Sequence, residues 1–326
     1  MLAVGPNGVG KTNLLEAIHV ATQGFSPRSR TDGQLVRFGA DGARAAVTGR
    51  RGEVKLELEV TIRTGEGKRA RLNGAALSAA EQLRSTVSTL VFTPDRLGVI
   101  KAGPAARRAY FDRALGRLLP ARAPLPAEYG AAVAQRNAAL RRAGGGYSGM
   151  DAVEPWTERV ATLGAELLAS RLEVLEILGA SFAERAGELG LPDATLRYEG
   201  EPPTREALDV VLARDLERGT TSLGPHLDDI LLSSADRDLR SFGSQGEQRL
   251  ALLALLLAEA EAITARSGVP PLLLLDDVLS ELDPARRRLL AERVRGAGQA
   301  LITATDAAML PAEPDQLLEV TPGAVI

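Results

Sequence analysis

The residues near the start of the chain have the types and the spacing of a phosphate-binding loop. Residues 5–12, GPNGVGKT, match the pattern G-x-x-x-x-G-K-[ST] at every fixed position. Glycines let backbone N–H groups approach a phosphate, a lysine adds positive charge for the β- and γ-phosphates, and a threonine hydroxyl can bind Mg²⁺. The pattern predicts a nucleotide site, with Lys11 acting in catalysis and Thr12 binding Mg²⁺. The residues expected to bind the nucleotide are Gly5, Pro6, Asn7, Gly8, Val9, Gly10, Lys11 and Thr12.

Two consecutive carboxylates follow a fully apolar run in the last third of the chain. The run is Leu272 to Leu275, and the carboxylates are Asp276 and Asp277. Such a run is typical of a central strand in a parallel sheet, and ligands bind at the carboxyl ends of these strands. We predict that Asp276 holds Mg²⁺, directly or through water, and that Asp277 orients the attacking water. Acidic residues also cap many ordinary strands, so the interpretation depends on the phosphate loop.

A second anion-binding pattern begins a long apolar helix that we predict to run to about Ala262. Ser244, Gln245 and Gly246 offer a hydroxyl, a glycine and free N–H groups at the start of this helix. A single chain does not need two such sites for one γ-phosphate. In two chains packed head to tail, the second site of each chain can close the phosphate loop of the other. We therefore predict that these residues bind the nucleotide of a partner copy, with Ser280 to Pro284 also contacting the partner. An ordinary helix N-cap is the alternative.

The composition restricts the class of protein. At 326 residues and 45% hydrophobic content, the chain can bury one large core or two smaller ones. The absence of cysteine excludes disulfides and thiolate metal sites, and fits a cytoplasmic location. A net charge of −3 requires that any DNA contact come from a local patch, and 3% aromatic content argues against base stacking. The longest apolar run, Leu250 to Ala258, is too short to cross a membrane.

The hydrophobic pattern changes along the chain. Residues 53–63 alternate between apolar and polar, residues 68–74 read as their hairpin partner, and residues 89–92 form a short apolar strand. The middle third instead has helical periodicity, interrupted by Pro- and Gly-rich breaks. The helices predicted there are Ala105 to Leu119, Tyr129 to Arg142, Trp156 to Glu188 and Arg205 to Arg218.

The motifs in this order resemble an ABC-type ATPase head of the SMC-related kind. They are the phosphate loop, SQGEQR, LLLLDDVLSELD and ITATD. With VFTPDRLGVIKAGPAARRAYFDRAL and TSLGPHLDDILL, the chain is similar to the RecF family of bacterial recombination mediators. The resemblance implies an α/β fold in which residues 1–95 and 220–326 form an ABC-type P-loop ATPase head. Residues 96–219 are then an inserted, mainly helical second lobe.

The resemblance also implies a function. ATP would drive two copies together as a homodimeric clamp at gap junctions between single-stranded and double-stranded DNA. RecF-like proteins act with RecO and RecR to load RecA, and weak, DNA-stimulated ATP hydrolysis resets the clamp. Two alternatives stay open: an ABC-type ATPase subunit of another system, such as a transporter, and a truncated scaffold that does not hydrolyse ATP.

The chain departs from the family pattern at several points. Leu227 stands in GPHLDD where the family has arginine, and Thr305 or Asp306 stands where ABC transporters have a histidine, which implies slow hydrolysis. RecF-like chains carry a strand, a turn and a second strand before the phosphate loop, and of these only Leu2 to Val4 remain here. We expect a start codon assigned too far downstream. A chain without those strands is expected to bind ATP weakly.

That shortened chain is also expected to leave apolar surface uncovered around Leu56, Leu58 and Val60.

Arginine and lysine clusters are the candidate DNA contacts. One cluster is Lys68, Arg69 and Arg71; the other is Arg107, Arg108, Arg113 and Arg117, which Arg136, Arg141 and Arg142 could extend. Contacts of this kind read the phosphate backbone, so we predict a steep salt dependence and little base preference. A solvated helix face is the alternative. Arg28 and Arg30, which follow the helix after the phosphate loop, are candidates for contact with the nucleotide phosphates instead of DNA.

Overall fold

The chain forms two compact units. The computed structural model describes residues 1–29 and 31–326, without the side chains of Glu81, Asp95, Arg96 and Glu281. Arg30, considered above as a phosphate contact, lies outside the described residues. One unit comprises Met1–Leu97 with Leu256–Ile326, and the other comprises Gly98–Leu255. The sequence analysis gave residues 220–255 to the ATPase head, whereas in the structure they belong to the second unit. The assignment of residues 1–95 and 220–326 to the functional head stays a prediction.

The strands and helices follow one another along the whole chain. The strands are β1 (Leu2–Val4), β2 (Gly42–Arg51), β3 (Val54–Arg63), β4 (Arg69–Leu72), β5 (Ala75–Ala76), β6 (Thr89–Phe92), β7 (Thr195–Glu199), β8 (Asp229–Ser234), β9 (Arg237–Asp238), β10 (Leu272–Leu275), β11 (Ala300–Ala304), β12 (Leu317–Thr321) and β13 (Ala324–Val325). The α-helices are α1 (Lys11–Gln23), α2 (Gly98–Lys101), α3 (Pro104–Leu118), α4 (Leu125–Gly144), α5 (Glu154–Glu188), α6 (Arg205–Val210), α7 (Leu212–Arg218), α8 (Gln245–Ser267) and α9 (Pro284–Gly296). Within the described residues, no helix combines the length and the apolar character that crossing a membrane requires.

The first unit contains a sheet in the order β13-β12-β1-β11-β10-β6, parallel except for β13. The three residues of β1 pair on one side with β11 and on the other with β12. Leu2 and Ala3 are fully buried in this position. The phosphate loop therefore leaves the carboxyl end of a central strand, which is where parallel sheets bind ligands.

One face of this sheet packs against α1. Ala3, Val91, Leu274 and Leu301, from four different strands, form a buried cluster with Leu15 of α1. Side chains alternate between the two faces of a strand, so the residues two positions further along continue the same face toward the carboxyl edge. These residues are Gly5, Thr93, Asp276 and Thr303.

The first unit also contains an antiparallel sheet in the order β2-β3-β4-β5. Its inner face packs on α1 and on a short 3₁₀ helix, Ala80–Ser85. Leu56, Leu58 and Val60 are only 9%, 1% and 1% exposed. The expectation that these three residues are uncovered is therefore wrong, because Val20 of α1 and Leu83 of the 3₁₀ helix belong to the same buried cluster.

The second unit is mainly helical, with a small antiparallel sheet in the order β7-β8-β9. Its longest helices are α5, of 35 residues, and α4, of 20, which pack against each other. The single helix predicted for residues 205–218 is two helices, α6 and α7, interrupted at Val211. The small sheet was missed by the sequence analysis, and its strand β8 joins the segment after residue 220 to this unit.

Candidate nucleotide-binding site

The phosphate loop connects β1 to α1 and has the backbone that its glycines permit. A Cβ atom at Gly5 would lie 2.6 Å from the carbonyl oxygen of Val320, so no other residue fits without movement. Gly10 has φ of 114°, which residues with a side chain rarely adopt, and α1 begins immediately after it. The first N–H groups of α1 have no partner within the helix and therefore favour an anion at this end.

Lys11 lies against the backbone of the loop. Its side chain is buried, with the residue 8% exposed, and its Nζ donates to the carbonyl oxygens of Gly5 and Pro6 at 2.7 and 3.0 Å. An ammonium group has three donors, so these two bonds leave one for a phosphate oxygen. This geometry is compatible with the predicted role of Lys11 at the β- and γ-phosphates.

Thr12 and Asp276 come together although they are far apart in sequence. The Thr12 hydroxyl donates to the two carboxylate oxygens of Asp276 at 2.9 and 3.2 Å. Hydroxyl and carboxylate oxygens are the ligands that Mg²⁺ takes beside nucleotide phosphates. The described residues contain no group of three or more His, Cys, Asp or Glu that could hold a metal alone. The pair therefore fits a Mg²⁺ ion whose remaining ligands are phosphate oxygens and water.

Thr303, which the sequence analysis did not single out, links the two acidic residues. It is fully buried on β11, and its hydroxyl donates to Asp276 Oδ1 at 2.8 Å. The same hydroxyl accepts a hydrogen bond from the backbone N–H of Asp277 at 2.9 Å. One side chain thus fixes the carboxylate of Asp276 and the backbone of Asp277. The only sequence signal for it was the polar residue inside the apolar strand ALITA.

Asp277 combines an unusual backbone conformation with a buried carboxylate oxygen. It adopts a left-handed conformation with φ of 48° and ψ of 27°. Its Oδ1 atom is buried and makes no hydrogen bond within the described part of the chain. An unpaired buried acceptor is costly, and it marks a place where a donor such as water would be bound favourably. This arrangement suits a carboxylate that orients an attacking water molecule.

Replacing Thr303 by valine is expected to lower ATP turnover about 10- to 100-fold, as removal of a supporting partner typically does. Valine keeps the shape but removes the hydroxyl that holds both acidic residues. Steady-state ATPase assays should show the loss in kcat, with a smaller effect on KM. Thr303→Ser keeps the hydroxyl and is the matched control. Equal rates for the valine and serine variants would contradict the assigned role.

Ser244 begins α8 as a reciprocal N-cap. Its Oγ accepts from the N–H of Glu247 at 3.2 Å, and its own N–H donates to the Glu247 carboxylate at 2.7 Å. Hydrogen bonds from the backbone and the side chain of Ser244 lower the pKa of the Glu247 carboxyl. Ser244, Gln245 and Gly246 are all exposed. Locally the motif is a capping box, and its role toward a partner's nucleotide stays a prediction.

Two of the arginines predicted to contact DNA are buried instead. Arg107 is 1% exposed and makes a two-pronged ion pair with Asp229, with both distances 2.7 Å. Arg136 is fully buried and pairs with Asp215 at 2.7 Å. Their assignment as DNA contacts was therefore wrong, because helix spacing does not show which face is turned inward. Arg108, also on α3, is half-buried and donates to the Asp228 carbonyl at 2.6 Å.

Arg113 and Arg117 are half-buried on the same helix, whereas Arg141 and Arg142, near the end of α4, are exposed. Arg28, the other candidate for contact with the nucleotide phosphates, lies 3.9 Å from the Glu16 carboxylate.

The GPHLDD motif makes hydrogen bonds inside the second unit. His226 Nδ1 lies 2.8 Å from the Tyr129 hydroxyl, and the Tyr198 hydroxyl donates to Asp228 at 2.7 Å. Burial lowers the pKa of His226. Leu227, by contrast, is 53% exposed. The replacement of arginine by leucine thus falls at a position that this network does not use.

The outer face of the antiparallel sheet is basic. The strand register brings alternate residues of β2, β3 and β4 to one face, opposite the buried one. Of the ionisable residues at these positions, six are basic and two, Glu57 and Glu59, are acidic, which contrasts with the net charge of −3 for the chain. We call this surface the basic face. Its basic residues are Arg44, Arg50, Lys55, Arg63, Arg69 and Arg71.

Two members of the predicted hairpin cluster therefore belong to the basic face, and the third does not. Arg69 and Arg71 are exposed on β4. Lys68 precedes the strand, is mostly buried, and lies 3.3 Å from Asp32.

Comparison with known sequences assigns the chain to a family. The model of the RecF/RecN/SMC N-terminal domain matches residues 1–324. The DNA replication and repair protein RecF of Anaeromyxobacter sp. (strain K) is 40% identical, over 99% of this chain and 91% of the relative. The chain belongs to the RecF family. The RecF protein of Myxococcus xanthus (strain DK1622) is 37% identical, over 95% of this chain and 85% of that protein.

Solved structures agree with this family and with the predicted fold class. A structure described as the recombination mediator protein RecF-ATP in the RecFOR pathway has a TM-score of 0.90 and 28% identity, covering all of this chain and 90% of that one. An Smc head domain from Pyrococcus furiosus, at 18% identity and a TM-score of 0.57, shares the fold. The prediction of an SMC-related, ABC-type ATPase head with mixed α/β structure is confirmed.

Proposed function

We propose that this member of the RecF family of DNA replication and repair proteins is a DNA clamp that binds and hydrolyses ATP. The observation that carries the proposal is the convergence of four groups at one sheet edge. These are the Lys11 ammonium, the paired Thr12 and Asp276, and the buried Oδ1 of Asp277, which has no partner among the described residues. The RecF relative whose structure is described with ATP supports the choice of nucleotide.

The residues of the site have distinct parts in the proposed reaction. The phosphate loop binds the β- and γ-phosphates through backbone N–H groups, and Lys11 balances their charge. Thr12 and Asp276 would hold Mg²⁺, which neutralises charge that develops on the phosphate oxygens. Asp277 orients the attacking water and takes its proton, while Thr303 holds the carboxylate of Asp276 and the backbone of Asp277. Without the histidine found in transporters, turnover is expected to be slow.

ATP is proposed to join two copies into a homodimer. The start of α8 presents Ser244, Gln245 and Gly246 at the surface, where the phosphates of a partner's nucleotide can reach them. Each copy would then complete the site of the other, and hydrolysis would release them.

DNA is proposed to bind at the basic face, because exposed arginines on a sheet suit contacts to phosphates without base readout. Arg108 and Arg113, half-buried on α3, are weaker candidates. The description of a RecF relative as part of the RecFOR pathway supports action of this chain with RecO and RecR. From the family resemblance, we propose that this action loads RecA at gaps.

ATP turnover measured with and without gapped duplex DNA tests the proposed function. Turnover that DNA stimulates, and that Lys11→Ala abolishes, is the expected result. DNA binding without any turnover would instead favour a scaffold that does not hydrolyse ATP. Stimulation by a membrane partner and not by DNA would favour the ATPase subunit of another system.

Replacing both Arg69 and Arg71 by alanine is expected to weaken DNA binding at every sequence tested. Two lost phosphate contacts should reduce the slope of log K against log salt by about two. Fluorescence anisotropy with gapped DNA over a range of salt concentrations measures this slope. Arg197→Ala is a matched control, since Arg197 is also exposed on a strand and paired with a glutamate. An unchanged slope in the double variant would move the DNA site elsewhere.

A further inference from the structure

Thr93 carries a buried hydroxyl that no described residue satisfies. The residue follows the last residue of β6 and is 2% exposed. Its Oγ1 atom is buried and has no hydrogen-bond partner within residues 1–29 and 31–326. A hydroxyl left in this state is costly, and native structures usually supply such a group with water, an ion or a ligand. Thr93 therefore requires an explanation that packing alone does not give.

The position of Thr93 places it beside the metal-binding pair. Strand β6 is parallel to β10, with Phe92 opposite Leu275, so Thr93 and Asp276 are the next residues of the two neighbouring strands. The N–H of Asp276 also donates to the carbonyl of Phe92 at 2.9 Å. Neighbouring strands are about 4.8 Å apart, so the two side chains begin within reach of a shared ligand.

Thr93 also lies on the correct face of the sheet. Val91 and Leu274, two residues earlier on each strand, belong to the cluster that packs on α1. The alternation of side chains then directs Thr93 and Asp276 to that same face. The bond between Asp276 and Thr12, on the first turn of α1, shows that this face leads to the phosphate loop.

We propose that the Thr93 hydroxyl is a further ligand-binding group of the nucleotide site and hydrogen-bonds a water molecule bound to Mg²⁺. A hydroxyl can accept from or donate to such a water, whereas it cannot replace a carboxylate as the main ligand. The inference rests on the proposed function and adds to it a further chain segment, the end of β6.

The test measures Mg²⁺-dependent binding of ADP, so it does not depend on turnover. Mg²⁺ is titrated into wild type and Thr93→Val at saturating ADP, and ADP binding is measured separately in EDTA. The apparent Mg²⁺ affinity of the valine variant should fall about three- to tenfold, the effect of one hydrogen bond. ADP binding in EDTA should be unchanged, and Thr93→Ser should restore Mg²⁺ affinity.

Thr89→Val is the matched control, on the same strand. Thr89 is also 2% exposed, but its hydroxyl donates to Thr22 Oγ1 at 3.0 Å. We expect Thr89→Val to lower the unfolding midpoint of the nucleotide-free protein and leave Mg²⁺ affinity unchanged. Thr93→Val should lower the Mg²⁺ affinity without lowering that midpoint, because the hydroxyl it removes has no hydrogen-bond partner among the described residues.

The outcomes separate this inference from the proposed function. If wild type binds ADP neither with Mg²⁺ nor without it, the nucleotide site itself is wrong. If wild type binds ADP with the expected Mg²⁺ dependence and Thr93→Val matches it, the inference about Thr93 alone is overturned. Equal weakening of ADP binding with Mg²⁺ and in EDTA would also overturn it, since the hydroxyl would then act on the nucleotide rather than on the hydrated metal.

Discussion

Asp277→Asn is expected to stop ATP turnover while leaving ATP binding intact. The substitution keeps the shape of the side chain, and asparagine tolerates the left-handed backbone found at this position. It removes the negative charge that orients water and accepts its proton, which should cost about 10²- to 10⁴-fold in rate. Single-turnover hydrolysis and equilibrium binding of ATP measure the two properties separately. Because the variant holds ATP unhydrolysed, its ATP-dependent dimer should persist and be visible by light scattering.

Asp276→Asn is the informative comparison for this variant. Asp276 pairs with Thr12, so its loss should weaken Mg²⁺-dependent ATP binding as well as turnover. The same chemical change is therefore expected to have different effects at the two positions. Asp277→Asn should lose turnover alone, whereas Asp276→Asn should lose both turnover and Mg²⁺-dependent ATP binding. Turnover within a few-fold of wild type in Asp277→Asn would assign the water-orienting role to another residue.

Asp215→Ala is expected to destabilise the second unit by about 3–5 kcal/mol, the cost of leaving a buried charge without its partner. Arg136 and Asp215 are both 0% exposed, and Asp215 also accepts from the N–H of Ser222 at 3.0 Å. Trp156, the only tryptophan in the sequence, lies on α5 in this unit. Its fluorescence during urea unfolding can therefore measure the free energy of unfolding of this part of the chain.

Two further variants check the cause of that destabilisation. Glu199→Ala breaks an exposed ion pair with Arg197 and should cost no more than about 1 kcal/mol. Replacing Arg136 and Asp215 together by methionine and leucine should recover much of the loss, because no isolated charge then remains. If Asp215→Ala unfolds at the same urea concentration as Glu199→Ala, the buried pair is not what stabilises this unit.

The parts of the site that lie in continuous motifs could be predicted from the sequence. GPNGVGKT carries its own turn, helix start and charge, and LLLLDD carries its own strand and carboxylates. Long helices were also predictable: the prediction for residues 156–188 differs from α5 only at its first two residues. In these stretches, local pattern and final structure agree because few distant contacts are needed to fix them.

The remainder depended on register and burial, which a single sequence does not show. The roles of Thr303 and Thr93 follow from the pairing of β11, β10 and β6, which places both residues beside Asp276. Arg107 looked like a surface charge until packing against β8 brought it to Asp229. Strand β2 was missed because its residues, GARAAVTGRR, include few large apolar side chains. Its pairing with β3 nevertheless completes the basic face.

Strand β3 shows how closely two properties of this protein depend on one stretch of ten residues. Its odd positions, such as Glu59 and Thr61, belong to the basic face, and its even positions, such as Leu58 and Val60, support α1, which carries Lys11 and Thr12. Deleting one residue within the strand would exchange the two sets and turn carboxylates toward the helix. A frame-preserving loss of one codon here should therefore impair nucleotide binding and DNA binding together, whereas most point substitutions would affect one.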